Sequence, residues 1–408
     1  MPSGGAKNKK EAQMRKWFLI FFAVSLLVSC SKGRVERRLR ASYSQLKVVK
    51  IRKIQEKEIG GHFLGANFKK MEMYLVFSPP RSKTFRIAVY DLKDLVVKRE
   101  IEVEKGPFES PKAMGEPFYM DFAGGRYFLV DLASKTFVYD SELNFLYPVM
   151  LHELQRYFMD FFHKGGEYFF FIGKKRRVGE MNEISGEIYK ILPDRKPKRI
   201  KKLVKFLARD NYYKGKEGDK RIYTPVLWTT PFGFEKEGKL YYFYGEKREY
   251  FYYDLETGKK TVVFLDYLPC RKYTEKEVEE LWRAFPVENV YTRWLASHHY
   301  RYIIEPYPLP VCFFTIYDVG EGKIGVISTV DIKGRKYRMD VLRAEDGKYL
   351  KSIWFPITNV FLMSLKTYHG QFPYRNAINL DLGIYIYQHW DNEREMAVTR
   401  VLKFQEEK

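Results

Sequence analysis

Five short marks recur along this chain: Tyr90-Asp91-Leu92, Tyr139-Asp140, Tyr189-Lys190-Ile191, Tyr253-Asp254-Leu255 and Met339-Asp340-Val341. The first three lie 49 and 50 residues apart, counting 90 to 139 to 189. Each closes an apolar run. In the clearest copy, Tyr-Phe-Leu-Val-Asp (127–131) and Thr-Phe-Val-Tyr-Asp (136–140) flank a short polar turn, which is a hairpin signal. A fixed period of that size, in units made of strands, means a repeat architecture and suggests propeller blades. The expected fold class is therefore all-β, a six-bladed β-propeller, with seven blades left open and a helical insertion near 268–308.

Composition supports strands. Of 408 residues, 17% are aromatic, with 32 Tyr and 32 Phe, types that favour pleated, half-buried surfaces. Hydrophobic content of 45% is ample for a core and excludes a disordered chain. The net charge of +21 is unevenly spread: residues 1–29 carry +4, residues 30–58 carry +7, and the remaining 350 carry +10. Excess positive charge favours anionic partners and says nothing about fold.

The N-terminus reads as an address. Lys7, Lys9, Lys10, Arg15 and Lys16 precede an apolar run, Trp17 to Val28, too short to span a bilayer comfortably but suited to a secretory signal. The run ends Leu27-Val28-Ser29-Cys30, which resembles the lipobox of bacterial lipoproteins. The resemblance implies a signal peptide over 1–29, a diacylated Cys30 as the mature N-terminus, and a location on the cell envelope. Ser31 after the cysteine leans, within that family, towards the outer membrane. Residues 30–44 form a basic tether, whose cations add attraction to anionic headgroups of about 1 kcal/mol each. An ordinary signal peptide with an incidental Cys is the alternative.

The propeller is expected over 45–408. Leu46 to Ile51 looks like an edge strand that completes the last blade and closes the ring. Gly124-Gly125 and Gly165-Gly166 punctuate strand pairs in blades two and three, and Gly238 and Gly320-Glu321-Gly322 do so in blades four and five. Leu151 to Phe162 carries a helical spacing, although the turn after it favours a strand at its end. Between blades four and five the period breaks, and Thr274 with Glu277 makes a capping box for a helix over 274–285, with Val278, Leu281, Trp282 and Phe285 on one face. The whole pattern resembles the six-bladed propeller lipoproteins of bacteria, akin in architecture to NHL and TolB-like propellers.

Catalytic signatures are missing from the sequence. No Gly-x-Ser-x-Gly elbow, P-loop or dinucleotide fingerprint appears in a strand–helix context, and neither the adjacent His298-His299 nor His152-Glu153 makes a metal site by itself. No catalytic residue, metal ligand or cofactor is therefore assigned. Cys270 and Cys312 leave two options open, a disulfide stapling the insertion or two separate buried thiols.

The loops between second and third strands gather on one end of a propeller. Here they are expected to hold Arg81 and Lys83; Lys135; Lys174, Lys175, Arg176 and Arg177; Lys247 and Arg248; Lys333, Arg335 and Lys336; and His389 with Trp390. Such a basic ring would draw an anionic ligand; a solvated rim is the bland alternative. A second basic run, Arg195 to Lys205, could meet phosphate or anionic glycan, or could only guard an edge strand with charge. These features favour a lipid-anchored binding module, monomeric, with an anionic glycan or a protein as partner and no role for nucleic acid. The alternatives are an envelope hydrolase or lyase with its site in the funnel, and a scaffold subunit of an envelope complex.

Overall fold

The computed structural model describes residues 42–43, 45–46, 48–78, 82–106, 117–131, 135–150, 156–178, 181–208, 212–217, 220–224, 232–243, 245, 247–283, 300–302, 311–331, 333–334, 336–356, 376–391 and 396–407. The expected signal peptide, Cys30 and the expected tether as far as residue 41 lie outside them.

In chain order, β1 is Val48–Val49 and β2 is Ile51–Gly60. Blade one is β3 (His62–Asn67), β4 (Glu72–Phe77), β5 (Thr84–Asp91) and β6 (Val97–Glu104). Blade two is β7 (Pro117–Ala123), β8 (Arg126–Asp131), β9 (Lys135–Tyr139) and β10 (Phe145–Met150). Blade three is β11 (Arg156–Lys164), β12 (Glu167–Val178), β13 (Met181–Ile191) and β14 (Pro197–Ala208). A separate three-stranded sheet follows, from β15 (Tyr212–Glu217), β16 (Lys220–Thr224) and, later in the chain, β21 (Tyr300–Tyr302). Blade four is β17 (Phe232–Lys236), β18 (Lys239–Phe243), β19 (Glu249–Asp254) and β20 (Lys260–Phe264), after which comes the helix α1 (Glu275–Arg283). Blade five is β22 (Thr315–Gly320), β23 (Lys323–Asp331), β24 (Lys336–Arg343) and β25 (Tyr349–Pro356), with β1 added in parallel at its outer edge. Blade six is β26 (Asn376–Asn379), β27 (Ile384–Asp391), β28 (Met396–Glu406) and, from the other end of the chain, β2.

The first strands of the blades touch in the order β3, β7, β11, β17, β22, β26, and β26 returns to β3. Six sheets, five of four strands and blade five with β1 as a fifth, thus form a closed six-bladed β-propeller. The N-terminal strand does complete the last blade, but it is β2 rather than 46–51: Ile51 stands opposite Glu406 and Gly60 opposite Val398. Its run Arg-Lys-Ile-Gln-Glu-Lys-Glu is exposed over most of its length, so an outermost strand of this kind carries no alternation to betray it.

Blade strands are apolar on both faces because each blade is packed between two others. Tyr127 and Leu129 join the core shared with blade one, whereas Phe128 and Val130 join the core shared with blade three. Burying each such side chain contributes roughly 1.5–3 kcal/mol. The turn between β7 and β8 needs φ of 54° and 81° at Gly124 and Gly125, which residues with a Cβ resist. The expected helix forms, and its capping box is real: Thr274 N–H donates to Glu277 Oε2 (2.8 Å) and Glu277 N–H to Thr274 Oγ1 (3.3 Å). Val278 is buried against Tyr273, Val311 and Phe314. Phe285 lies outside the described residues, as do the side chains of Leu281 and Trp282. Cys270 and Cys312 are joined as a disulfide that closes off the excursion carrying α1.

Candidate anion-binding face on blade three

The loop assignment behind the expected basic ring needs correction at four places, one of them Lys336, which begins β24. Lys135 begins β9 and is buried, its N–H donating to Asp131 Oδ1 (2.7 Å) and its ammonium lying 5.5 Å from the Phe137 ring. Lys174, Lys175, Arg176 and Arg177 belong to the strand β12, and His389 and Trp390 to β27. In both cases charged or polar residues continue a pleated ladder that runs past the apolar core. Arg81 and Arg335 lie outside the described residues, as do the side chains of Lys175, Arg177, His389 and Trp390.

Lys247, Arg248 and Lys336 are tied to their own surroundings. Lys247 pairs with Glu249 (3.6 Å), and Arg248 Nε donates to Cys270 Sγ (3.1 Å). Lys336 lies 3.9 Å from Asp331 and 5.0 Å from the Trp354 ring centroid. Lys83 and Lys333 are exposed. No described contact links these residues into a ring.

What the fold does bring together is the two basic runs. Directly opposed residues of an antiparallel pair share a face. In register, Arg176 stands opposite Glu183, Lys174 opposite Ser185, and Ile172 opposite Glu187. On the other side of β13, Lys205 stands opposite Ser185, Lys202 opposite Glu187, and Arg199 opposite Tyr189. One sheet face therefore carries Lys174 and Arg176 from β12, Glu183, Ser185 and Glu187 from β13, and Arg199, Lys202 and Lys205 from β14. The register also places Arg156 of β11 opposite Lys174. The alternation on β14 is broken by β-bulges at Ile200 and Leu203, which have no partner on β13 and shift the basic residues into line.

Two carboxylates form the floor of this face. Glu187 is 2% exposed; Oε1 accepts the Ser185 hydroxyl and Oε2 the Tyr189 hydroxyl, both at 2.8 Å, and Arg199 Nη1 stands 3.9 Å away. Glu183 lies 2.5 Å from Lys205 Nζ and 3.3 Å from Lys202 Nζ, and these partners, the Lys205 hydrogen bond first, hold its carboxyl below the ordinary range. Its side chain is only 7% exposed, yet little protein surrounds it at longer range, so its cover is local. Above the floor, Arg199, Lys202 and Lys205 keep 56%, 44% and 58% of their side chains accessible. Arg176 is exposed and Lys174 half-buried. Five cations against two carboxylates leave +3. The face is left uncovered because β12 and β13, at 12 and 11 residues, run about twice the length of β8 and β9 in blade two, at 6 and 5.

A second group of titrating residues lines the inner strands. Asp121 Oδ2 accepts the Phe161 N–H (3.3 Å), and Asp160 Oδ2 accepts the Glu235 N–H, so each carboxyl closes a gap on the free edge of the next blade. Asp121 Oδ1 takes the Phe122 N–H (2.7 Å), and Asp160 Oδ1 takes the Tyr119 hydroxyl (3.2 Å) and the Phe161 N–H (3.1 Å). Burial raises both above the ordinary aspartate range, and for Asp160 the neighbouring Asp121 charge adds to it. Each is enclosed by protein but keeps some accessible surface, so water moderates that push. Between blades four and five, Lys236 Nζ donates to Asp318 Oδ1 and Gly320 O, both at 2.6 Å. Sequence reasoning missed the Asp pair, although Met-Asp-Phe occurs at both 120–122 and 159–161. Among the described residues, no group of three or more His, Cys, Asp and Glu is close enough to hold a metal ion.

No family model and no curated protein matches the sequence. Several solved structures share the overall arrangement at low identity. A member of the DUF4221 family from Bacteroides vulgatus is 9% identical, with a TM-score of 0.44 over 89% of this chain and 99% of its own. BamB from Moraxella catarrhalis is 10% identical, with a TM-score of 0.30 over 86% of this chain and 99% of its own. The structure of U3-55K, at 8% identity and a TM-score of 0.40, covers 88% of this chain and 96% of its own.

Proposed function

We propose that the protein is a lipid-anchored propeller of the cell envelope that works as a binding module for an anionic ligand. The observation that supports this most directly is the joining of two basic runs, distant in sequence, on one uncovered face of blade three. A hydrolase or lyase in the funnel would need a carboxyl at liberty to move a proton to or from a substrate. Both oxygens of Asp121 and of Asp160 instead hold main-chain N–H groups. The address rests on the basic and apolar N-terminus ending at Cys30.

Two measurements test the proposal. Radiolabelled palmitate is expected to enter the wild-type chain in cells and not Cys30→Ala, which should also leave the membrane fraction; equal labelling of both would sink the anchor. Full-length protein in detergent is expected to be retained on an anionic resin at low salt and released at high salt. Lys202→Glu/Lys205→Glu should weaken that retention clearly more than Lys83→Glu/Lys333→Glu, which changes the net charge by the same amount. The opposite pattern would move the site back to the loops.

A further inference from the structure

The arrangement of the cations on blade three says what shape of anion they fit, given the binding function just proposed. The rows marked by Glu183, Ser185, Glu187 and Tyr189 on β13 are two residues apart, or roughly 7 Å, and together span roughly 20 Å. Arg176 belongs to the first row, Lys174 and Lys205 to the second, Lys202 to the third and Arg199 to the fourth. Residues on β12 and β14 are two strand spacings apart, so the strip is roughly 10 Å wide. Cations in every row along a narrow strip form a track. A compact anion would engage one row and leave the others idle.

We infer that this face binds a linear polyanion, a polymer chain whose charged groups recur along the roughly 20 Å of the track. The free edge of β14 argues against the other extended occupant, an acidic peptide added as a further strand. Strand addition needs an unbroken row of backbone donors and acceptors, and the bulges at Ile200 and Leu203 interrupt that row within the basic segment. Recognition then falls to the side chains above the sheet, which read charge and spacing and ask for no backbone amide in the ligand. The ligand chemistry is that of an acidic polysaccharide or a phosphodiester polymer. The floor carboxylates fit this role, because Glu183 and Glu187 hold Lys202, Lys205 and Arg199 upright over the strip. They also put negative charge where an isolated small anion would have to settle.

The test measures binding of the full-length chain, by calorimetry, to inorganic phosphate, to polyphosphates of increasing length, to oligogalacturonates of increasing length and to poly-glutamate. Affinity per chain is expected to climb about 100-fold between a monovalent anion and a chain spanning 20 Å, then to level off. Lys174→Glu, Lys202→Glu and Lys205→Glu should each weaken the long chains and lower the slope of log affinity against log salt by roughly one. A preference for the carboxylate or the phosphate series identifies the source of the polymer and supports the inference in either case. If inorganic phosphate binds as tightly as the long chains while the variants still weaken it, the polymer is wrong but the anion site stands. Poly-glutamate matching the best of the other polymers overturns the choice of polymer class. If the three variants bind every anion as the wild type does, the site itself is elsewhere and the inference falls with it.

Discussion

Two of the regions that enclose carboxylates in this propeller are built in opposite ways. Along the inner strands, main-chain N–H groups and a tyrosine hydroxyl satisfy Asp121 and Asp160, and burial raises both. On blade three, Glu183 sits between lysines, and they lower it. The same functional group is pushed towards its neutral form in one place and towards its ionised form in the other. Exclusion from water does not decide which. The partner does: a backbone dipole stabilises the anion only in part, whereas an ammonium within 3.3 Å outweighs the lost solvation. The first region is a staple between blades, and the second is the floor of a charged surface.

The largest test of this contrast is Asp160→Ala. It leaves the Glu235 N–H and the Tyr119 hydroxyl without their acceptor at a blade junction, and each orphaned buried group costs about 1–3 kcal/mol. A loss of about 2–3 kcal/mol in denaturant unfolding is expected, with the anion binding of blade three unchanged. Asp160→Asn keeps an acceptor and should lose much less. If the alanine variant were as stable as the wild type, the carboxyl would not be a staple.

The pH dependence separates the two regions next, because their signs differ. Asp160 has its folded value raised, so the native state holds more protons than the unfolded one above the ordinary aspartate value of 3.8. Its stabilising contribution is complete below that value and is lost as pH rises through the folded value. Glu183 has its folded value lowered from 4.5, so its contribution is complete above 4.5 and is lost as pH falls through the folded value. Melting curves of Asp160→Asn should therefore gain on the wild type as pH rises from 4 upward. Glu183→Gln should show a smaller acid-side loss than the wild type below about 4.5. Parallel curves for all three proteins would erase the distinction.

The sequence revealed the parts of this molecule that obey one simple rule. Gly124-Gly125 and Gly165-Gly166 mark their turns because few other residues accept positive φ there. Runs such as Tyr127–Val130 mark their strands because both faces are buried. The extension of β12 was hidden because Lys174 to Arg177 has no apolar alternation, and a strand projecting past the core has no need of one. Lys135 was misplaced for the converse reason, a charged residue at a strand start that is nonetheless buried. The blade-three face could not be seen from spacing alone. Counting by twos along 198–205 puts Arg199, Lys201 and Lys205 together, and only the bulges at Ile200 and Leu203 bring Arg199, Lys202 and Lys205 onto one side. The Asp pair left a trace in the repeated Met-Asp-Phe, but its meaning depends on β7 and β11 being neighbours in the ring.

The smallest expected effect is the most discriminating one. Lys205 contacts Glu183 closely, but its side chain is 58% exposed, and an ion pair so open to solvent adds little to stability. Lys205→Gln should shift the melting temperature at neutral pH by less than about 2 °C. It should nonetheless move Glu183 back towards its ordinary value, since the Lys205 hydrogen bond is the first of the influences lowering it. A carboxyl titration followed by NMR would show that move directly, and anion affinity should fall in the same variant. A charge kept for binding changes titration and affinity while leaving the fold alone. If Lys205→Gln instead melted as early as Asp160→Ala, the blade-three cluster would be a second staple, and the difference between the two regions would be one of sign only.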